Sequence, residues 1–124
     1  MEKTIMPTSS YTLTISKGTG PEDVIKLDYY HVRIAAHVLR AINHKLRQQI
    51  IKLLEEHKRM TVTEIYVKLR LEQSVASQHL SILRRNHIVK YERDGKFIYY
   101  SLDTEALETI ARVVDELYAL KPEK

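Results

Sequence analysis

A mainly helical fold carrying one β-hairpin is predicted by three observations. Apolar residues recur at helical spacing in five stretches, and two of these, residues 61–69 and 73–85, follow each other across a tight turn. Two runs rich in β-branched and aromatic residues, 88–91 and 97–102, flank Arg93-Asp94-Gly95-Lys96, where Asp-Gly signals a type I′ hairpin turn. Residues 71–89, LEQSVASQHLSILRRNHIV, carry two helical stripes of opposite character. Ala76, Leu80 and Leu83 share one face, while Ser74, Ser77, Gln78 and Ser81 share another. The predicted order is four helices, a hairpin and a fifth helix: a winged helix-turn-helix, α1-α2-α3-α4-β-β-α5.

Each element has a local cause. Residues 1–27 read as an arm rich in Thr, Ser, Gly and Pro, in which Tyr11, Leu13 and Ile15 alternate with polar residues as in a short strand. The arm ends in the turn-like Lys17-Gly18-Thr19-Gly20-Pro21 segment. Asp28 is an N-cap candidate for a first helix, with Val32, Ala35, Ala36, Leu39 and Ile42 at helical spacing. Asn43 offers the next N-cap, for a helix whose stripe is Leu46, Ile50, Leu53 and Leu54 and which ends near His57 and Lys58. Thr61 and Glu64 have the spacing of a capping box, with Ile65 and Leu69 directed inward. The last helix, 104–119, has Leu107, Ile110, Ala111, Val114, Leu117 and Tyr118 on one face and is stopped by Pro122. The organisation is an arm (1–27), one domain (28–120) and a short tail (121–124).

A chain of 124 residues suits one compact domain that buries roughly two-thirds of its unfolded surface. The net charge of +4 is unevenly spread: residues 28–102 hold 14 Lys or Arg against 7 Asp or Glu, and residues 103–124 hold 3 against 6. A basic centre favours a polyanionic partner through counterion release. The absence of cysteine excludes disulfides and thiolate metal sites. No apolar run approaches the roughly 18 residues that span a bilayer, and the N-terminus lacks the apolar core of a secretory signal. A cytoplasmic protein without a membrane partner is expected. No nucleophile elbow, phosphate-binding glycine loop or HExxH appears, so no enzymatic activity is expected.

An exposed helix face is ordinarily filled with Lys and Glu. The serine and glutamine stripe of residues 74–81, flanked by Arg70, Arg84 and Arg85, instead fits a recognition helix in the major groove of DNA, where Ser and Gln meet base edges and Arg holds phosphates. Lys45 and Arg47, early in the second helix, are further candidates for phosphate contact or for plain solvation. At the wing, Arg93 and Lys96 flank the turn, where they reach a phosphate or the minor groove. Tyr99 and Tyr100 are consecutive in a strand, so one faces the core and the other is a phosphate-ligand candidate.

Three blocks of the sequence resemble the ArsR/SmtB family of winged-helix transcriptional repressors. Residues 39–51, LRAINHKLRQQII, are similar to the family's LKALSDPTRLRIL-like segment; residues 71–83 to its LSQSTVSRHLKVL-like recognition helix; and residues 95–102 to its GRxVYYxL wing. The resemblance covers roughly residues 28–120. It implies a homodimer joined through the first and last helices, with paired recognition helices on a palindromic operator in double-stranded DNA. It also aligns Gln73, Ser74, Ser77 and Gln78 with DNA-facing positions. Ser74 suits N-capping as well, Val75 suits a thymine methyl or partial burial, and His79 suits DNA contact or a neutral, hydrogen-bonded place in the core.

The departures concern metals. Where metal-sensing members carry Cys-x-Cys, this chain has Thr61-Val62-Thr63, and the positions of a second site read Thr104, Ala106, Leu117 and Leu120. None of these is a zinc ligand. His31, His37 and His44 lack supporting carboxylates at helical spacing from His37 and His44. No metal and no cofactor are expected, and the resemblance leaves the effector unassigned. The functional reading is a sequence-specific DNA-binding regulator, most simply a repressor; the rival is a winged-helix module that binds protein and not DNA.

Overall fold

The computed structural model describes residues 12–20 and 22–121. Tyr11, Pro21 and Pro122, to which the sequence assigns local roles, lie outside them. The chain divides into two compact units, Met1–Leu39 and Arg40–Lys124, the boundary falling within the first helix.

In the first unit, β1 (Thr12–Ser16) and β2 (Val24–Asp28) form an antiparallel hairpin. The sequence predicts one strand here; the second exists because Ile25 and Leu27 alternate with Lys26 and Asp28 and pair directly with Ile15 and Leu13. These four aliphatic side chains share one face and remain 37–48% exposed. Helix α1 (Tyr29–Ile42) starts where Asp28 Oδ1 accepts from the Tyr30 and His31 amides, as its residue type predicts.

The second unit is built around the core. Helix α2 (Lys45–His57) buries Ile50, Leu53 and Leu54. Its N-cap is His44 and not Asn43: His44 Nδ1 accepts from the amides of Leu46 and Arg47. Helix α3 (Val62–Leu69) opens with the complete capping box of Thr61 and Glu64 and buries Ile65. Arg70 ends it in the left-handed conformation at φ 58°, and its amide donates to the carbonyls of Tyr66 and Val67, which makes the turn short. Helix α4 (Gln73–Arg85) then buries Ala76, Leu80 and Leu83.

β4 (Val89–Asp94) and β5 (Phe97–Leu102) form the wing, and β3 (Met60–Thr61) adds a third antiparallel strand on the other side of β5. A two-residue strand has too little pattern to be read from sequence. Asp94 pairs with Phe97, so Gly95 and Lys96 are the central turn residues. Gly95 has φ +68° and Lys96 is not among the positive-φ residues. That is the φ pattern of a type II′ turn, which needs glycine only at its first central position, and it corrects the type I′ expectation.

The core joins Ile50, Leu53, Leu54, Met60, Ile65, Leu80, Leu83, Ile88 and Val89 with Ala41 at the end of α1. Helix α5 (Thr104–Ala119) is capped by Asp103 and sends Leu107 and Ile110 against this core. No residue of α5 is fully buried, and Val113, Val114, Leu117 and Tyr118 are exposed. No helix among the described residues is long and apolar enough to cross a membrane.

Leu80 has no exposed surface, so Leu80→Ala is expected to cost about 2–5 kcal/mol of unfolding free energy by lost transfer and an unfilled cavity. Urea denaturation followed by circular dichroism measures it.

Candidate nucleic-acid interface

Helix α4 separates its two stripes as the sequence dictates. Ala76, Leu80 and Leu83 are fully buried, whereas Gln73, Ser74, Ser77 and Gln78 are exposed. The inner side is a dry anchor and the outer side a run of short donors and acceptors. The N-cap is Glu72, which makes no side-chain cap bond, so Ser74 does not serve as the cap. Val75, His79 and Ser81 are half-buried at the borders of the polar face. Arg84 and Arg85 are exposed in the last turn, and Arg84 lies 5.1 Å from the centroid of the Tyr91 ring.

His79 points one ring nitrogen into the fold, where its Nδ1 is 3.1 Å from an Arg47 guanidinium nitrogen. Arg47 is only 7% exposed and is neither a phosphate contact nor solvated. Its Nε donates to the Ala41 carbonyl at 2.7 Å and its second terminal nitrogen to the Arg40 carbonyl at 3.4 Å. Burial lowers its pKa from the ordinary guanidinium value. His79 likewise titrates below an ordinary imidazole, chiefly through burial and then through the proximity of His44 and Arg47. Sequence alone did not single out this role for Arg47, because a lone arginine near a helix start looks like a surface charge.

On the wing, Arg93 and Lys96 are exposed, as their place beside the turn requires. Tyr100 packs on the core; burial raises its pKa, opposed by Arg84 and assisted by Tyr91. Tyr99 lies under Arg59, whose guanidinium carbon is 3.9 Å from the ring centroid. Arg59 also reaches Asp94 at 3.2 Å. One arginine thus ties the segment before β3 to both the face and the tip of the wing, a role no local sequence signal marks. Among the described residues, no group of three or more His, Cys, Asp or Glu side chains converges as a metal site would.

The surface therefore presents exposed amides and hydroxyls on one helix and exposed cations on a neighbouring hairpin. Such a surface can read base edges with the first and hold phosphates with the second.

The sequence model of the family described as bacterial regulatory protein, arsR family, matches residues 44–91. The chain is 34% identical over 92 residues to the transcriptional repressor PagR of Bacillus anthracis, a match that spans 74% of this chain and 92% of PagR. The crystal structure of PagR is similar with a TM-score of 0.57 at 34% identity, covering 70% of this chain and 99% of that one. The transcriptional activator HlyU of Vibrio cholerae is 30% identical over 84 residues, 68% of this chain and 77% of HlyU.

Removing the Arg59 guanidinium tests the tie to the wing. Arg59→Met is expected to raise amide exchange in β4 and β5 about threefold, the equivalent of a partly exposed cation–π contact of about 0.5–1 kcal/mol. Exchange unchanged in the hairpin would show that the contact does not hold it.

Proposed function

The chain belongs to the arsR family of bacterial regulatory proteins, and from that membership we propose a cytoplasmic, homodimeric transcriptional repressor that binds a palindromic operator in double-stranded DNA and blocks transcription by occupancy. One observation carries this reading: α4 exposes four uncharged hydrogen-bonding residues in register while burying its apolar stripe completely. Gln73, Ser74, Ser77 and Gln78 meet base edges in the major groove, and Val75 at the border of that face touches a thymine methyl. Arg93 and Lys96 of the wing hold phosphate or the adjacent minor groove.

The dimer is supported by apolar surface left uncovered. Tyr29, Tyr30, Val32 and Ile34 of α1 are 44–48% exposed, and Val113, Val114, Leu117 and Tyr118 of α5 are 41–72% exposed. Large apolar side chains grouped on a helix call for a partner, and a second copy supplies one by two-fold symmetry. Residues 28–120 form the DNA-binding and dimerisation body in this reading, with residues 1–27 as an accessory arm.

Binding to duplexes selected from a randomised pool, compared with random duplexes at two salt concentrations, tests the proposal. Gln78→Ala is expected to weaken the selected duplex about tenfold and leave random DNA nearly unchanged, as loss of a base contact requires. Lys96→Ala is expected to weaken both and to reduce the salt slope by about one. Absence of any salt-dependent binding would sink the reading.

A further inference from the structure

His44, Arg47 and His79 form a cluster beneath the recognition helix that reading DNA, as proposed above, does not by itself use. The two imidazole centroids are 4.9 Å apart. Arg47 touches both: its amide donates to His44 Nδ1 at 3.4 Å, and its side chain meets His79 Nδ1 at 3.1 Å. Arginine has only donors, so His79 Nδ1 must accept. His44 Nδ1 accepts as well, from the amides of Leu46 and Arg47. The His79 ring is therefore held by geometry as the neutral tautomer with the proton on Nε2.

We infer that Arg47 is a positioning residue for the recognition helix, gripping α4 through the neutral ring of His79 and fixed in turn to the end of α1 and to the His44 cap, so that DNA affinity falls when the His79 ring takes a proton. This rests on the DNA-binding reading only for its consequence; the grip itself is a property of the fold. Protonation of His79 converts the acceptor into a second donor facing Arg47.

The charged and titratable groups acting on His79 are His44, at the N-cap of α2, and Arg47, in its first turn; both are basic, and no group on α3 or β4, which also pack against α4, is among them. Burial, then the basic neighbours His44 and Arg47, disfavour an imidazolium there, and among the described residues no carboxylate acts on the ring, so His79 titrates lower folded than unfolded. Its contribution is complete above the unfolded pKa of about 6.5 and is lost as pH falls from there toward the folded value.

The test compares the wild type with His79→Asn, in which the Asn keeps an acceptor near Nδ1 and does not titrate. Affinity for a duplex selected from a randomised pool, and amide-exchange protection of α4, are measured at about pH 7.5 and about pH 5.5. The wild type is expected to lose about tenfold more affinity across this interval than the His79→Asn variant, and to lose α4 protection that the variant keeps. Equal pH dependence of the two proteins in both measurements would overturn the inference. If the wild type binds no duplex at either pH, the DNA reading fails and exchange alone decides the grip. Arg47→Lys provides a second arm, since it keeps the charge but lacks the fork that spans two carbonyls and His79. It is expected to lower α4 protection at both values of pH; protection equal to the wild type would overturn the role of Arg47.

Discussion

Ala76, Leu80 and Leu83 have no exposed surface, and their burial dictates which way the rest of α4 faces. A helix turns 100° per residue, so once three positions on one side are fixed against α2, α3 and the sheet, the positions opposite have no freedom of direction. Ser74, Ser77 and Gln78 are outward for that reason and need no interaction of their own to hold them there. Chemistry on the outer face is decoupled from folding on the inner one. Exposed substitutions away from caps and packing contacts are energetically mild, so the outer face can change its chemistry without rebuilding the core.

Most of this arrangement was legible in the sequence because it rests on period and local chemistry. The stripes of α2, α4 and α5, the capping box at Thr61 and the Asp28 cap all follow from residue type and spacing within a few positions. What was hidden has a common physical reason: it depends on residues far apart in the chain. The pairing of Met60-Thr61 with Tyr99-Tyr100 spans about forty residues and leaves no periodic trace. The His79–Arg47 contact and the Arg59–Asp94 pair are likewise nonlocal. The N-cap was misplaced by one residue because histidine is rarely counted among capping types, although its unprotonated ring nitrogen accepts as a carboxylate oxygen does. The wing turn shifted by one residue for another reason: Asp94 pairs with Phe97 and so belongs to the strand.

Two faces of the molecule stand out against this consistency. The aliphatic face of the β1–β2 hairpin and the outer stripe of α5 are each patterned for contact yet remain open in the single chain. A two-stranded hairpin is at best marginal in water on its own. In each case pattern and exposure disagree, and the disagreement sits outside the inward stripe of the helix-turn-helix, where Ile65, Ala76, Leu80 and Leu83 are fully covered.

Thr61 belongs to two structures at once: it is the last residue of β3, paired with Tyr99 of the wing, and the cap on which α3 begins. The hairpin and the first turn of the helix-turn-helix are therefore joined through one residue, which sets the spacing between them. In the DNA-binding reading proposed above, a duplex whose grooves do not suit that spacing is bent or twisted to fit, so the elastic compliance of nucleotide steps that are never touched becomes part of how one site is told from another.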